Sequence, residues 1–515
     1  MPDSVTKSIL SKSVKFVQKL ERQHLSAAAA QRRTLKQLLR QAGNTAFGKH
    51  YKFDTISESS EVIRTFQDNV PIHDYDKIFD EWWHRSLAGE SDVAWKGPVK
   101  YFGLSSGTTG AASKYIPITH DMTRSMRQAG LRMFACLPKY GLPARFYLKN
   151  WLMIGGSASL ELQGNCFVGD LSGINSKHPP AWIRPYFKPG PQIARYKEWD
   201  QRIEAIAQNA PKWDIGILTG IPSWVQLAIE YIIEYHNLNN IHELWPNLSV
   251  FVTGGTAFEP YQKSFEKLLA RPLIYQDSYL ASEGFIAYQS RPGTSSMKMA
   301  LNNSQFFEFI PFNRYNFDTD GNLLENVKAL HIGQVEEGVD YALLMSTPAG
   351  AWRYLIGDTI RFTDISRCEI IITGRTKHFL SICGEHLSVD NMNQAIRQTE
   401  EALDISIGEF TVAGVKSNNH FAHKWYLGVD TNLDETTVAK VLDQQLKNIN
   451  DDYKSERNAM LQDLQLKIIP NRLFLDWQRA TGRMNGQSKI PRVMKMDKFA
   501  QWEAFIEKEL SASAG

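Results

Sequence analysis

From Tyr101 onward, short apolar runs alternate with glycine-rich turns and amphipathic stretches, and this alternation constrains the fold more than any other feature. "WDIGILTGIPSW" (213–224), "LSVFVTGGTAF" (248–258) and "YALLMSTPAGAWRYLIGD" (341–358) show the pattern. Strand, turn and helix signals in alternation specify an α/β domain. Residues 1 to about 95 read as helical instead, with aromatic interruptions such as Trp82-Trp83. The opening "SVTKSILSKSVKFVQKLERQ" puts Leu10, Val14 and Val17 on one helical face with lysines elsewhere. It reads as an amphipathic helix packed on its own domain, in preference to a transit peptide or a membrane-surface helix.

The character changes near Gly374. "EIIITGRTKHFLSICGEHLSVDN" (369–391) reads as a strand, a polar turn and another strand. "EFTVAGVKS" and "KWYLGVD" then read as strands. Residues 434–453 read as a helix with Val438, Leu442, Ile449 and Tyr453 on one face. The boundary falls close to residue 376, giving a large unit over 1–376 and a smaller α+β unit over 377–515. The five prolines of 176–192 predict a non-helical loop.

Composition narrows the function classes. A chain of 515 residues exceeds one ordinary domain, and 43% hydrophobic with 22% charged residues supports a sizeable core. A formal charge of +3 with no long basic run argues against a nucleic-acid groove. No run of about 18 apolar residues is present, so no membrane-spanning helix is expected. Cys136, Cys166, Cys368 and Cys383 are scattered without CxxC spacing, which suits a reducing cytoplasm and not metal ligation.

The chemistry is concentrated in "YFGLSSGTTGAASKYIP" (101–117). Gly103-Leu104-Ser105-Ser106-Gly107 satisfies G-x-S-x-G, the elbow that presents a hydrolase's nucleophilic serine between a strand and a helix. Here Thr108-Thr109-Gly110 prolongs the loop where that helix should begin. A Walker loop fails on spacing, because Lys114 lies four residues beyond Gly110. Two readings remain from the loop alone. Either it is a flexible linker, or it is a cradle in which backbone N–H groups and the hydroxyls of Ser105, Ser106, Thr108 and Thr109 hold a polyphosphate while Lys114 supplies charge.

Downstream segments bear on that choice. "VFVTGGTAFEPYQKSF" (250–265) is an apolar run, a double glycine and a helix start. "YQDSYLASEGF" (275–285) sets Tyr279 four residues before Glu283. "WRYLIGDTIRF" (352–362) ends an apolar run on Gly357-Asp358. "TGRTK" (373–377) carries Arg375, and "GQSKIPR" (486–492) carries Lys489. Together with the serine-rich loop, these motifs resemble, in order and over most of the chain, the acyl-acid amido synthetases of the GH-three family, a branch of the adenylate-forming enzymes. One departure stands out: many relatives carry an arginine after the tyrosine of the third motif, where this chain has Leu355, with Arg353 ahead of Tyr354.

The resemblance implies a large adenylate-forming domain, with β-sheets and a small β-barrel flanked by helices, and a smaller mobile C-terminal lid. It implies a reaction in which ATP and Mg²⁺ activate a carboxylic acid as an acyl-adenylate, after which an amino acid's amine takes the acyl group. Ser105, Ser106, Gly107, Thr108 and Thr109 would hold phosphate and Glu283 the metal. Gly255, Thr256 and Tyr279 would border adenine. Asp358 would accept the ribose hydroxyls, Arg375 would reach ribose or phosphate, and Lys489 would bring charge to the reacting oxygens. On the helix after the cradle, Arg132 and Met133 would contact the acyl acid. Two alternatives remain at this stage: an acyl-CoA ligase sharing the adenylate, and a serine hydrolase using Ser105.

Overall fold

The computed structural model describes residues 26–105, 114–177, 184–255, 258–318, 321–376, 380, 387–417, 420–431, 433–450, 453–454, 457, 461, 463–482 and 489–513. The amphipathic opening segment expected from Leu10, Val14 and Val17 lies outside them. Helices Ala27–Ala42 and Val62–Asn69 confirm the helical character of the N-terminal region. Leu35, Leu38 and Leu39 of the first are buried, and its N-cap Ser26 accepts a hydrogen bond from the Ala29 N–H. Trp82 and Trp83 are core residues here; the Trp83 indole donates to the Gly350 carbonyl at 3.1 Å.

Three sheets organise the rest. In the smallest sheet of the large unit, β1 (Tyr101–Ser105) pairs antiparallel with β2 (Lys114–Ile118) and parallel with β5 (Cys166–Gly169), with β4 (Glu161–Gln163) at its edge. The main sheet has a parallel limb: β3 (Asn150–Ile154), β7 (Ile215–Gly220), β8 (Val250–Gly254) and β9 (Ile274–Ala281). Val250, Phe251 and Val252 are buried, as the near-continuous apolar run of a parallel strand requires. Helix Pro222–Tyr235 covers one face of this limb and helix His120–Phe134 the other.

The sheet continues antiparallel through β10 (Gly284–Tyr288), β11 (Met297–Met299), β16 (Glu369–Arg375), β15 (Ala351–Asp364), β14 (Asp340–Thr347) and β12 (Phe306–Pro311). Among the described strands the two limbs form one mixed sheet, the large sheet domain expected ahead of a smaller C-terminal unit. The proline-rich stretch is also less irregular than expected at its ends, because a helix runs over Leu171–Lys177 and a short 3₁₀ turn over Arg184–Tyr186.

The C-terminal unit is smaller and separate in its pairing. β17 (Phe410–Ser417), β18 (His420–Gly428) and β19 (Gln465–Ile469) form its sheet, and helices Val389–Leu403 and Glu435–Ile449 pack on it. Tyr453, placed on the second helix by periodicity, lies beyond that helix's end and is still buried. Where a second strand is expected before residue 391, the described residues hold an antiparallel bridge, Leu380 with Leu387, and helix begins at Val389.

Candidate active site

The C-terminal ends of the parallel strands supply the first wall. After β8, Gly255 takes a φ of +85°, a conformation natural to glycine. A Cβ on the neighbouring Gly254 would stand 2.7 Å from the Ser278 Oγ and 3.0 Å from its carbonyl oxygen, so the backbone approaches where a side chain could not.

A tight turn at Ser282-Glu283 joins β9 to β10, with Ala281 opposite Gly284. Glu283 is buried at the tip of this hairpin. Burial raises its carboxyl pKa first and the charge on Asp358 adds to that, while Lys114 and Arg375 pull it down. The adjacent Tyr354 phenol is pushed well up, by burial and then by its charge and hydrogen-bond coupling to Glu283. The cradle strand lies alongside: Ser282 Oγ is 3.6 Å from where a Cβ on Gly103 would be. Lys114, opposite Ser105 in the β1–β2 register, holds its Nζ 5.1 Å from the Tyr75 ring centroid.

β15 and β16 supply the second wall. Their register sets Asp358 opposite Arg375, and the ion pair closes at 2.9 Å from Nε to Oδ1. The other oxygen of Asp358 accepts the Tyr279 hydroxyl at 2.6 Å. β15 bulges here, since Leu355 to Thr359 stands against Leu344 to Ala342, and Gly357 supplies the positive φ of +86° that the bulge needs. The Arg375 guanidinium, held above its usual pKa first by Asp358, also donates to the Ile356 carbonyl at 3.2 Å.

Lys489 closes the site from the other unit. Its Nζ donates to the Gly255 carbonyl oxygen. Loss of hydration inside the cleft and then repulsion by Arg375 lower the ammonium's pKa to about 8, with Asp358 opposing. The residue as a whole is exposed, so water still reaches one flank of the chain that carries this ammonium.

The fold thus brings together Gly255, Glu283, Asp358, Arg375 and Lys489, five residues spread over more than 230 positions. Of the expected cradle, only Ser105 is placed, at the end of β1, and its side chain is outside the description; Ser106, Gly107, Thr108, Thr109 and Thr256 lie outside the described residues.

The Tyr279 ring is buried in the principal core, and its phenol, held far above the ordinary pKa by burial and then by Asp358, stays protonated as a donor that fixes that carboxylate. Arg132 and Met133 sit on helix His120–Phe134. Met133 is buried in the cluster that holds Phe285 and Tyr288 of β10, whereas Arg132 is half-buried. Sequence reasoning missed Tyr75, whose hydroxyl accepts the Tyr115 N–H at 2.8 Å beneath Lys114; no local pattern announces it.

A mixed sheet whose glycine-ended parallel strands face a hairpin carboxylate, with a lysine supplied by a smaller C-terminal unit, is a fold that solved structures share. Over 93% of this chain it is similar to a 2-hydroxyisobutyryl-CoA ligase in its post-adenylation state, with a TM-score of 0.60, 91% of that chain covered and 11% identity. The likeness is greater to the GH3.15 acyl acid amido synthetase: TM-score 0.76, 16% identity, 94% of this chain and 95% of that one. In sequence, residues 16–172 match the GH3 family N-terminal domain, 298–373 its central domain and 390–498 its C-terminal domain. The chain belongs to the GH3 family. Among its relatives are two indole-3-acetic acid-amido synthetases of Arabidopsis thaliana. GH3.4 is 21% identical, with 96% of this chain and 94% of the relative covered; GH3.2 is 22% identical, with 87% and 93% covered.

Proposed function

We propose that this protein is an ATP-dependent acid–amino acid ligase. In the first half-reaction a carboxylate oxygen attacks the α-phosphorus of ATP, forming an acyl-adenylate as the bond to pyrophosphate breaks. In the second, an amino acid's amine attacks the acyl carbon, the amide C–N bond forms, and AMP leaves with the electrons of the broken C–O bond. The observation that carries this reading is the junction of Lys489 with the Gly255 carbonyl, beside the Asp358–Arg375 pair, in a chain that matches the amido-synthetase family from end to end.

The residues divide the work by their chemistry. Lys489 and Arg375 place positive charge where phosphate charge develops. Asp358, oriented by Tyr279 and Arg375, keeps acceptor capacity for ribose hydroxyls because an ionised carboxylate has about four lone-pair sites. Ser105, Ser106, Gly107, Thr108 and Thr109 are assigned to the phosphates, and Gly255 with Thr256 to the adenine. Arg132 and Met133 border the acyl acid.

Among the described residues no group of three or more His, Cys, Asp and Glu side chains could cage a metal. Glu283, with Asp358 near it, fits Mg²⁺, which takes one or two protein carboxylates and completes its shell with phosphate oxygens and water. Bound there, the ion would neutralise phosphate charge.

The two units are proposed to turn against each other between half-reactions at a boundary just past residue 376. Thr376 itself belongs to the large unit, since it is buried and its N–H donates to the Gly357 carbonyl at 2.8 Å. A cytoplasmic location is proposed from the scattered spacing of Cys136, Cys166, Cys368 and Cys383, which suits a reducing compartment. No helix among the described residues is long and apolar enough to cross a membrane. The hydrolase alternative is disfavoured because the next described element after β1 is its antiparallel partner β2, with Ser105 opposite Lys114, whereas an elbow leads from its strand into a helix.

The test is a screen of carboxylic acids for ATP-dependent pyrophosphate release, followed by product mass with amino acids or with CoA as acceptor. An amide product supports the reading and a thioester favours the CoA ligase. Labelling of Ser105 by a fluorophosphonate with no need for ATP would restore the hydrolase.

A further inference from the structure

Lys489 is held in place by contacts distant from the site. The segment that follows it is stapled to the edge of β17: the Val412 N–H donates to the Arg492 carbonyl at 2.8 Å and the Met494 N–H to the Val412 carbonyl at 2.8 Å. The Thr411 hydroxyl adds a bond to the Pro491 carbonyl at 2.8 Å. Side chains reinforce this. Arg492 pairs with Glu409, Nη1 to Oε2 at 2.6 Å, donates to the Phe410 carbonyl at 3.1 Å and stacks its guanidinium 4.2 Å from the Phe410 ring centroid. Lys489 therefore moves with β17 as one body.

Polar contacts join that body to the large unit, beside the packing of helix Val389–Leu403 on β16 and on helix Glu259–Glu266. Glu409 accepts, on its other oxygen, the hydroxyl of the buried Tyr261 on helix Glu259–Glu266. Burial and the Glu409 charge both raise the Tyr261 pKa, so the phenol remains a donor. Two residues on, Lys263 Nζ donates to the Ile405 carbonyl at 3.2 Å. Glu409 and Arg492 lie in the same unit and stay paired if the units separate. The Tyr261 hydroxyl is the detachable member. The helix that carries it begins four residues after Gly255, so one short element presents both the latch and the carbonyl that receives Lys489.

We propose that Tyr261, acting through Glu409 and Arg492, is a positioning residue that latches the C-terminal unit in the arrangement that seats Lys489 for adenylation. The inference rests on the role given to Lys489 under the proposed function. Tyr261→Phe removes the hydroxyl, leaves no cavity and keeps Glu409 paired with Arg492.

Two readouts test it on the full chain. Without any acid, pulse modification by acetic anhydride should acetylate Lys489 faster in Tyr261→Phe than in the wild type, with the exposed Lys495 as the internal reference; equal rates overturn the latch. With the best acid of the screen, acid-dependent pyrophosphate release should fall about tenfold, the size of one lost hydrogen bond to a charged acceptor. Consumption of supplied acyl-adenylate by amine should be unchanged or faster. In a Lys489→Ala background, Tyr261→Phe should cost nothing further, because both changes remove one seated charge. An equal slowing of both half-reactions, or full additivity with Lys489→Ala, would show a merely structural tyrosine and overturn the proposal. If Lys489→Ala alone leaves adenylation intact, the assignment of Lys489 fails whatever Tyr261 does.

Discussion

Two arginine–carboxylate pairs that share strand β15 show how little an ion pair says about function by itself. Arg353 and Glu308 are sealed, with side chains 6% and 1% exposed. The guanidinium donates to both Glu308 oxygens at 3.2 Å and to the Gln67 and Val70 carbonyls at 2.9 and 2.7 Å, so its donors are spent tying the N-terminal helices to the sheet. The backbone at Arg353 accepts a φ of +44° to do this. Arg375 and Asp358 are 36% and 17% exposed, beside Glu283 and Lys489. The first pair holds the fold together. The second keeps an open flank toward a cleft made by two units, which is what a ligand requires. The arginine ahead of Tyr354, a departure in sequence from many relatives, is therefore a structural tie and not a displaced site residue.

The sharpest way to break this comparison is stability. Arg353→Ala strands a buried Glu308 charge and should lower unfolding free energy by about 3–5 kcal/mol, whereas Arg375→Ala, at a partly exposed pair, should stay within about 1 kcal/mol of wild type. Urea unfolding of both variants measures this, and equal losses would erase the distinction.

Next in size is Lys489→Ala, expected to reduce acid-dependent pyrophosphate release on the order of 10²-fold or more, with a smaller effect on supplied acyl-adenylate. Equal loss in both half-reactions would remove Lys489 from adenylation.

A pH profile sharpens the same point. The charged ammonium is the active form and its pKa is lowered to about 8, so adenylation should decline as pH rises through that value. Lys489→Arg should carry the alkaline limb upward, since a guanidinium stays protonated, even if its shape lowers the plateau. An unmoved limb would assign it to another group.

The smallest effect belongs to Tyr279→Phe. It frees one oxygen of Asp358 and should raise the ATP KM, costing about 1.5 kcal/mol in kcat/KM, the low end for a hydrogen bond to a charged acceptor. A large loss of kcat with unchanged KM would place Tyr279 in the chemistry instead.

Part of this candidate site was legible in local signals: a double glycine ends the apolar run of β8 at Gly255, and Gly357-Asp358 follows an apolar run at the bulge of β15, while Glu283, Arg375 and Lys489 stood out through the family's motifs. What periodicity does not carry is pairing. Asp358 meets Tyr279 across 79 positions and Arg375 through strand register, and no local pattern announces either contact. Tyr261 was illegible too, as its partner Glu409 is 148 positions away and its value depends on two units meeting.

The central claim is that a carboxylate is activated as its adenylate, and an oxygen count tests it most directly. With a substrate acid labelled in its carboxyl oxygens by the heavy isotope, each turnover in the presence of ATP and amine should leave one labelled oxygen in AMP, with pyrophosphate unlabelled. Label found in inorganic phosphate, with ADP as the nucleotide product, would contradict the account.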